Sequence, residues 1–589
     1  MQNCIRVILL VTLVLIRCEV LKKRKSPEDE GVPLTFRYDS LMQRAKAFTP
    51  SIGKNGGTLT LPLYTEPATF NPMVAPDAVP YLYEGLVRIN GVTGEPRPCL
   101  AEDWEVSDNN CSWKFFIRKN VLWSDSVPFS AYDVAFTFNA LVYSEKITPK
   151  VRRDMFTING KRIEVTVLDS FTVLFKLPKV FAPFLKYMTQ VILPKHAYEK
   201  WLKNDAFSDS LSVKTSPDRM VGTGPFLLAS YVPYSNLTFI RNPRYWRRDA
   251  VGNRLPYLDS ITYIIVADLD EALESFKAGE IDYLAADGND FAELDEKDSA
   301  YTLFHLGPAL GSNGIVFNMN SSIDSSSGKL YIDARKLAWF RNKNFRKAIA
   351  HAINRKRIID VYMKGRGYTQ WSPLSPAVGD FYNPEVATYP YNLQKADTLL
   401  REEGFVDRNG DGFLEDPDNT TVEFNLTVNT GNTFRKNIAE IICMDLERLG
   451  MKVHLNILDA NIIQKNLCHP PYHWDAVMLG FSGGFEPDLA RAVWHSSGER
   501  HIWEPGLSKP TMQWQERINY LFEAGAAILD KEGRQAIYRE WQSVASDALP
   551  MIFTVRSERI LCMSKRVKNV NPSVHGGLLH NIEELYIRD

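Results

Sequence analysis

The sequence lacks the features that mark several large classes of protein. Its 69 lysines and arginines nearly cancel its 70 aspartates and glutamates, so it has no net positive field of the kind that nonspecific nucleic-acid binding requires. It has seven cysteines in 589 residues and no CxxC pair, which argues against a disulfide scaffold. HExxH, Walker-loop and paired-carboxylate signatures are also absent. We therefore expect no nucleic-acid partner and no enzyme of those classes.

A membrane-spanning run is missing too, although the N-terminus is apolar. Residues 7–16 follow Arg6 and would rise about 15 Å as a helix, roughly half a bilayer. This pattern predicts a signal peptide over residues 1–18. Residues 15–18 (LIRC) are similar to a lipobox, but Arg17 replaces the small residue expected there, so Cys18 is either lipidated or part of an ordinary signal. Residues 19–50 are charged at first and predict a solvated tether.

The body of the chain has globular composition and mixed periodicity. At 589 residues it exceeds what one core usually organises, so we expect two or three core units at roughly 150 residues each. Helical periodicity appears at residues 131–142 and 344–363. Strand patterns appear at 58–64, 112–118, 163–167, 172–177, 261–266, 422–428, 452–457 and 476–479. The fold class predicted is α/β, and the absence of a fixed period argues against solenoids and propellers.

Seven segments carry family information through their order along the chain. They are GGTLTLPLYTEPATFNP at 56–72, the stretch from YEGLVRIN to YDVAFTF at 83–138, VGTGPFLLASY at 221–231, RNPRYW at 241–246, FKAGEIDY at 276–283, FRKAIAHAINRKRII at 345–359 and ALPMIF at 548–553. Together they resemble the extracytoplasmic solute-binding proteins of the peptide, oligopeptide and nickel class of ABC importers, bacterial solute-binding protein family 5. The resemblance covers about residues 55–570.

This resemblance implies a bilobal clamshell of the periplasmic-binding-protein type II. Lobe one is expected at residues 51–309 with an extra subdomain at about 97–220, lobe two at 310–545, and a return to lobe one at 546–589. A peptide-like ligand is then trapped between the lobes about a hinge, without catalysis by the protein. The family also implies a monomer in the periplasm or cell envelope, which works with ABC permease and ATPase subunits and contacts the membrane only through a lipid anchor.

The expected ligand anchor is acidic. In peptide-binding members of the family an aspartate follows a turn in lobe two, in a stretch resembling GWxGDxxDP, and residues 480–488 here read GFSGGFEPD. The acid is thus replaced by Glu486 or shifted to Asp488, and we expect the two jointly to bind a ligand amine. The alternative is a solvated turn or a helix cap made by Asp488. The departure leaves other solutes open, namely a nickel chelate, haem or an oligosaccharide.

Further ligand-binding residues are predicted from chemistry and position. Phe485, Trp371 and Trp494 are flat, rigid side chains that give contact area at low entropy cost. Asp77 lies in the loop that the family places at the rim of lobe one, and Asn318 lies near the first crossing between lobes. The alternative for each of the five is a purely structural role.

One loop resembles half of a calcium-binding loop. Oxygen-bearing residues and a central glycine have the spacing of such a loop over residues 407–418, although Asp418 at position twelve reaches less far than the usual glutamate. The flanking patterns are helix and strand, so the loop predicts a structural site outside a paired EF-hand, and its alternative is a Gly/Asx turn. No other cofactor is expected. The candidate ligands are Asp407, Asn409, Asp411, Phe413, Glu415 and Asp418.

Two functions of other classes remain open. Gly480, Ser482 and Gly484 match GxSxG, the nucleophile elbow of serine hydrolases, for which a downstream acid and a histidine such as His575 are needed. An exported hydrolase using Ser482 is therefore the enzymatic alternative. A surface adhesin on the same fold is the third possibility, and it predicts a macromolecular partner with no small ligand in the cleft.

Overall fold

A computed structural model describes residues 38–286, 288–507 and 509–588. The predicted signal peptide and Cys18 lie outside these ranges. No helix within them combines the length and apolar character that crossing a bilayer requires.

Strands occur throughout the described chain and are numbered in chain order. They are β1 (Thr58–Leu63), β2 (Val87–Ile89), β3 (Pro96–Pro98), β4 (Ala101–Val106), β5 (Ser112–Ile117), β6 (Thr157–Ile158), β7 (Lys161–Arg162), β8 (Glu164–Asp169), β9 (Thr172–Lys176), β10 (Phe226–Val232), β11 (Asn236–Arg241), β12 (Ser260–Ile265), β13 (Tyr283–Ala286), β14 (Tyr301–Pro308), β15 (Ser312–Phe317), β16 (Gly367–Thr369), β17 (Glu423–Asn429), β18 (Lys452–Leu458), β19 (Ala476–Phe481), β20 (Met551–Phe553), β21 (Val555–Ser564), β22 (Val567–Lys568) and β23 (Tyr586–Ile587).

Helices alternate with these strands. The α-helices are α1 (Tyr38–Ala47), α2 (Ala131–Phe136), α3 (Lys150–Met155), α4 (Phe184–Tyr187), α5 (Lys195–Lys203), α6 (Phe207–Ser210), α7 (Leu269–Lys277), α8 (Gly288–Glu293), α9 (Ala334–Arg341), α10 (Lys343–Ala352), α11 (Arg355–Tyr362), α12 (Leu393–Glu402), α13 (Thr433–Glu447), α14 (Ala460–Cys468), α15 (Arg491–Trp494), α16 (Gln513–Ala527) and α17 (Lys531–Ala548). A π-helical turn, Thr137–Val142, extends α2, and short 3-10 helices are Pro76–Ala78, Pro217–Arg219, Pro376–Phe381, Pro487–Ala490 and Ile582–Glu584.

The protein is bilobal with mixed α/β content, as predicted. Lobe one holds a four-stranded sheet of order β1-β12-β11-β10 and a second sheet of order β13-β21-β14. β1 pairs in parallel with β12 and forms the edge of its sheet. That position explains how Pro62 lies within a strand, because an edge strand needs ladder hydrogen bonds on one side only.

An antiparallel sheet of order β4-β5-β9-β8 forms a subdomain of lobe one. In its central strand β5, SWKFFI alternates half-buried and buried residues, which is the pattern of a sheet with one face in the core. The aromatic rings of Phe115, Phe138, Phe175 and Phe184 pack edge-on or tilted at centroid distances of 5.0 to 6.3 Å beneath it.

Lobe two is built on a five-stranded sheet of order β18-β17-β19-β15-β20. β17, β18 and β19 run parallel, and β15 runs antiparallel to β19. The helix predicted over residues 344–363 is two helices, α10 and α11. The break has a local cause: Ile353 is extended, and the side chain of Asn354 caps α11 by accepting a hydrogen bond from the amide of Arg357.

Two adjacent crossings join the lobes. The chain passes from β14 to β15 through residues 309–311 and returns between β20 and β21 at Thr554, whose amide donates to the carbonyl of Asn313 at 3.1 Å. Buried Arg556 donates to the carbonyls of Ala309 and Leu310 at 2.9 and 2.7 Å. Burial lowers the pKa of Arg556 to about 9. The guanidinium thus ties one crossing to the other and marks the hinge.

Two predicted boundaries need correction. Residues 38–47 of the predicted tether form helix α1, which packs Met42 and Ala45 against Val92 of lobe one. The predicted return to lobe one begins at residue 546 and so includes β20, yet β20 pairs with β15 in the sheet of lobe two. Lobe two therefore extends to residue 553, because its fifth strand is supplied by the segment just before the second crossing.

Candidate ligand-binding site between the lobes

The loop that follows β19 crosses the space between the lobes and carries Glu486. This side chain is 4% exposed and accepts hydrogen bonds from both terminal nitrogens of Arg534, at 2.5 and 3.3 Å. Lys186 of lobe one places its ammonium 3.4 Å from the same carboxylate. The attraction of Glu486 outweighs burial and raises the pKa of Arg534. Glu486 is therefore shared between a cation of its own lobe and one of the opposite lobe.

Asp488, two residues further on, makes a second contact between the lobes. Its carboxylate accepts a hydrogen bond from the phenol of Tyr187 in lobe one at 3.1 Å, and Arg491 of lobe two donates to it at 3.2 Å. Burial raises the pKa of Asp488, and the charge of Arg491 opposes that shift. Tyr187 also has a raised pKa, from burial first and from Asp488 second. The phenol hence remains a hydrogen-bond donor at neutral pH.

These contacts change the interpretation of the acidic pair. Glu486 and Asp488 do lie together between the lobes, but each already has an arginine partner of its own lobe. A buried carboxylate needs such a partner to offset its desolvation. In this closed arrangement the charge of each carboxylate is already paired with an arginine, and both side chains contribute to the contact between the lobes.

One cavity, of about 420 Å³, lies beside the Glu486 contact and is lined by both lobes. Phe485 borders it, and its ring centroid is 4.1 Å from that of His575 of lobe one. Burial, with a smaller effect of Lys186, lowers the pKa of His575 to about 4, so the imidazole is neutral at pH 7. The other residues that line this cavity are Met42, Gln43, Lys46, Thr93, Gly94, Glu95, Lys186, Val378, Gly379, Asp380, Phe381 and Lys531. We call this space the first cavity.

A second cavity, of about 510 Å³, lies beside the Asp488 contact. The subdomain of lobe one contributes apolar residues such as Met155, Ile158 and Phe181, and lobe two contributes Leu489 and Ala492. Both cavities have the size of small-molecule sites, roughly 300–1,000 Å³. The contacts of Glu486 and Asp488 thus lie beside two partly open spaces; of the predicted residues, Phe485 borders the first and Asp488 the second.

Two of the predicted ligand-binding residues belong to the core of lobe two. Trp494 is 5% exposed and packs against Trp503 and Trp541 at centroid distances of 5.1 and 5.5 Å. Asn318 is fully buried, and its amide donates to the carbonyls of Tyr472 and Trp474 at 3.1 and 3.0 Å. Both predictions are therefore wrong for this conformation, because these side chains have no surface facing the space between the lobes.

Two others lie outside both cavities. The ring of Trp371 packs on the guanidinium of Arg355, 4.3 Å from the ring centroid, and lines neither cavity. Asp77 is an exposed residue of the 3-10 helix after β1. Its charge acts on Arg152, which in turn donates to Gln190 at 3.2 Å. In this conformation Trp371 and Asp77 serve local packing and local charge balance.

The predicted calcium loop brings three carboxylates together. Oxygens of Asp407, Asp411 and Glu415 lie within 4.8 Å of one another, and Glu415 is 4% exposed. The amide of Asn409 donates to Glu415 at 3.0 Å, so its side chain points into the same cluster. Asp418 stands apart, with its backbone amide bonded to Asp416 in the next turn. The oxygen-only donor set fits Ca²⁺, without the twelfth-position ligand that the spacing predicted.

The serine of the GxSxG match does not have the surroundings of a nucleophile. Ser482 is exposed and, among the described residues, its hydroxyl makes no hydrogen bond to a histidine. It also lacks the strained backbone typical of a nucleophile elbow, because it is not one of the residues with positive φ. His575, the proposed partner, instead packs on Phe485.

One residue that the sequence did not predict is Arg435. Its side chain lies beside Gly480, near the C-terminal end of β19 in the sheet of lobe two. Its Nη1 donates to Asn429 at 2.5 Å, its Nη2 packs where a side chain on Gly480 would stand, and its Nε is buried without a partner. Within the described residues no carboxylate pairs with it. The signal in the sequence was weak, since an arginine in a helical pattern is usually read as a solvated residue.

The edge of β19 beside Arg435 is partly free. In the described chain β17 pairs with β19 at Ala476 and Val477, whereas β15 pairs with it as far as Phe481. Residues 478–481 therefore have one side without a strand partner. Because this is the carboxyl end of parallel strands, it is where ligands of open α/β sheets bind.

Comparison with known proteins agrees with this architecture. The sequence profile described as bacterial extracellular solute-binding proteins, family 5, matches residues 95–500. A probable ABC transporter-binding protein of Deinococcus radiodurans is 29% identical over 85% of this chain and 87% of its own. The oligopeptide-binding protein AppA of Bacillus subtilis in complex with a nonapeptide superimposes with a TM-score of 0.73 at 23% identity, over 91% of this chain and 100% of its own. MelB of Agrobacterium fabrum in complex with stachyose superimposes with a TM-score of 0.73 at 22% identity, over 92% of this chain and 86% of its own.

Proposed function

The chain belongs to the bacterial extracellular solute-binding proteins of family 5, and on that basis we propose that it captures a peptide-like solute between its lobes for an ABC importer. The observation that carries the proposal is the first cavity, about 420 Å³, bordered by both lobes. Closure over a ligand buries it from water and gives the partner subunits a distinct conformation to recognise. The partners of this proposal are a permease and an ATPase.

The free edge of β19 supports a peptide over other solutes. Residues 478–481 lie outside the lining of the first cavity, in the strand that leads into the loop of Phe485, and offer backbone groups to which an extended peptide can add as a further strand, a common mode of peptide recognition. Arg435 stands beside this edge without a carboxylate partner among the described residues. A peptide with a free C-terminal carboxylate would supply that partner, whereas a neutral oligosaccharide would not.

In this proposal Glu486 and Asp488 do not bind the amine of the peptide, contrary to what the sequence predicted. Glu486 and Asp488 are paired with Arg534 and Arg491, so backbone hydrogen bonds and the carboxylate contribute more of the binding than the amine does. Oligosaccharide binding is the second candidate within the family, since MelB of the same fold was solved with stachyose.

The remaining parts of the proposal concern where the protein works. We place it in the periplasm or cell envelope as a monomer, held at the membrane through Cys18 if that residue is lipidated. Metabolic labelling with a tritiated fatty acid tests the anchor directly. Label that is retained by a Cys18→Ser variant would exclude lipidation at this residue.

Identification of the solute by mass spectrometry tests the central proposal. The protein is purified without denaturation, and small molecules are released by acid and identified. Peptides should appear, and adding them back should raise the unfolding temperature, because a ligand that binds only the native state stabilises it. Oligosaccharides in place of peptides would favour the second candidate. A peptide that is recovered cleaved after incubation with the protein, but intact with Ser482→Ala, would overturn the binding-only function.

A further inference from the structure

Helix α1 borders the first cavity, although in the sequence it comes before β1, the first strand of lobe one. Met42, Gln43 and Lys46, which share one face of the helix, border the cavity. Across it stand Asp380 and Phe381 of lobe two. The helix therefore supplies a part of the cavity surface that neither lobe's sheet supplies.

Among the described residues, three apolar side chains attach the helix to lobe one: Leu41 packs against the main core, and Met42 and Ala45 pack against Val92. Met42 and Ala45 are its buried residues among those whose burial is described, and with Val92 they form a cluster separate from the main core of lobe one. The buried amide of Asn571 donates to the carbonyl of Ala45 at 3.2 Å. Full burial of one methionine contributes roughly 1.5–3 kcal/mol, and an isolated ten-residue helix is marginal in water. The helix is thus held by its contact with lobe one.

Space beneath the helix makes this attachment looser still. A cavity of about 280 Å³ lies between Ala45, Phe48 and His580, and one of about 390 Å³ lies between Leu41, Phe48 and Phe304. Both spaces are partly open to solvent, so the side chains that line them have fewer protein neighbours than core side chains do. Segments with few buried contacts open at lower free energy than the fold as a whole.

From this placement we propose that helix α1 is a detachable end wall of the ligand cavity, which limits the length of the captured solute and slows its exchange. The identity of the solute in this inference rests on the proposed function. The placement of α1 as a wall of the cavity is independent of that function. Since the helix moves with lobe one, it narrows the cavity only when lobe two closes toward it.

The test detaches the helix in the full chain. A Met42→Asp/Ala45→Asp double variant places two carboxylates in the contact with Val92, and Met42→Leu is the conservative control. Access is measured at Val378→Cys, a buried position bordering the first cavity. Cys4, Cys18 and the partly exposed cysteines of the described chain, Cys111 and Cys468, are changed to Ser. The probe is a sulfonated maleimide.

We expect Val378→Cys to react at least tenfold faster in the double variant than in the control. A cysteine at Ala526, a buried residue that borders the second cavity, should react at an unchanged rate. Equal rates at Val378→Cys would overturn the proposal, and so would a parallel rise at Ala526→Cys, which would mean general opening. The unfolding temperature should change by only a few degrees, because the Met42 cluster is separate from the main core.

Synthetic alanine peptides of three to nine residues provide the second measurement. The double variant should bind the longer peptides relatively better than the unaltered chain does. If no peptide binds either protein, the peptide function fails while the labelling result still decides on the wall. If peptides bind with the same length preference in both, α1 does not limit ligand length and that part of the proposal is wrong.

Discussion

The phenol of Tyr187 in lobe one donates a hydrogen bond to the buried carboxylate of Asp488 in lobe two, 3.1 Å away. Beside it the ammonium of Lys186 lies 3.4 Å from Glu486. Consecutive residues of α4 thus contact both acidic residues of one loop. The residues that the family resemblance marked as ligand anchors thus contribute to the contact between the lobes, alongside the ion pair of Lys179 with Glu523.

Removal of the Tyr187 hydroxyl should therefore shift the protein toward an open form. A hydrogen bond to a charged group contributes about 1.5–3 kcal/mol, so Tyr187→Phe should lower the closed-to-open ratio by about tenfold or more. Small-angle X-ray scattering of the ligand-free protein measures this as a larger radius of gyration. Tyr143→Phe is the matched control, because its hydroxyl donates to the carbonyl of Phe156 within lobe one. An unchanged radius for Tyr187→Phe would show that this bond does not maintain closure.

Arg435 should determine whether the ligand needs a free carboxylate. Arg435→Gln keeps a polar side chain at this position and removes the charge, so affinity for alanine peptides with a free C-terminus should fall at least tenfold. Affinity for the same peptides with an amidated C-terminus should stay nearly constant. Isothermal titration calorimetry measures both. Arg401→Gln, on the exposed face of α12, is the control, and equal losses for free and amidated peptides would contradict a role in carboxylate recognition.

The sequence was sufficient for the fold class and for most strands, because these depend on periodicity that the chain displays locally. β17 and β18, for example, lie within one or two residues of the predicted segments. The helix break at Ile353 was missed because an apolar stripe continues across it. Asn354 caps the second helix, and a capping asparagine looks like an ordinary helix residue in such a stripe.

The site was less predictable than the fold, for a physical reason. Whether Trp494 faces a cavity or the core depends on Trp503 and Trp541, which come from other segments of the chain. The same is true of Glu486, whose role is decided by Arg534, 48 residues away. Phe485 borders the first cavity and packs on His575, because the loop after β19 lies between the lobes; ligand binding by this residue stays a prediction.

Three histidines, of which His501 is buried and His495 and His575 are half-buried, should make the fold sensitive to mild acid. Burial lowers the pKa of His495, His501 and His575 to about 4, below the unfolded value of about 6.5. Between these values the unfolded chain binds protons that the folded chain does not, so stability rises with pH over this range. Stability should be full above pH 6.5 and decrease as the pH falls toward 4. Asp488, whose pKa is raised by burial, acts in the opposite direction.

Urea unfolding at pH 7.5, 5.5 and 4.5 measures this dependence. His501→Asn replaces a titrating ring with an amide that can still donate to the carbonyl of Val493, the present partner of Nδ1. We expect the decrease in stability between pH 6.5 and 4.5 to be smaller in this variant. The exposed His454 provides the control as His454→Asn. Identical pH dependence for His501→Asn and the unaltered chain would rule out His501 as one of the groups responsible.

Calcium should stabilise lobe two through the loop from Asp407 to Glu415, whose three carboxylates lie within 4.8 Å of one another. We propose that Ca²⁺ binds there as a structural ion, because it would neutralise charges that are otherwise close together and partly buried. At a concentration one hundred times the dissociation constant, such binding adds about 2.7 kcal/mol to the free energy of unfolding. Differential scanning calorimetry should show a higher unfolding temperature with Ca²⁺ than after chelation with EGTA.

Two variants separate this site from a general effect of salt. Glu415→Gln removes the buried carboxylate of the cluster and should abolish the stabilisation by Ca²⁺. Asp418→Asn removes a carboxylate of the predicted loop that lies outside the cluster, so it should leave the stabilisation intact. Mg²⁺ should have a smaller effect, since it demands a tighter octahedral geometry than a flexible loop provides. If Asp418→Asn and Glu415→Gln reduce the Ca²⁺ effect equally, the ion does not bind at these three carboxylates.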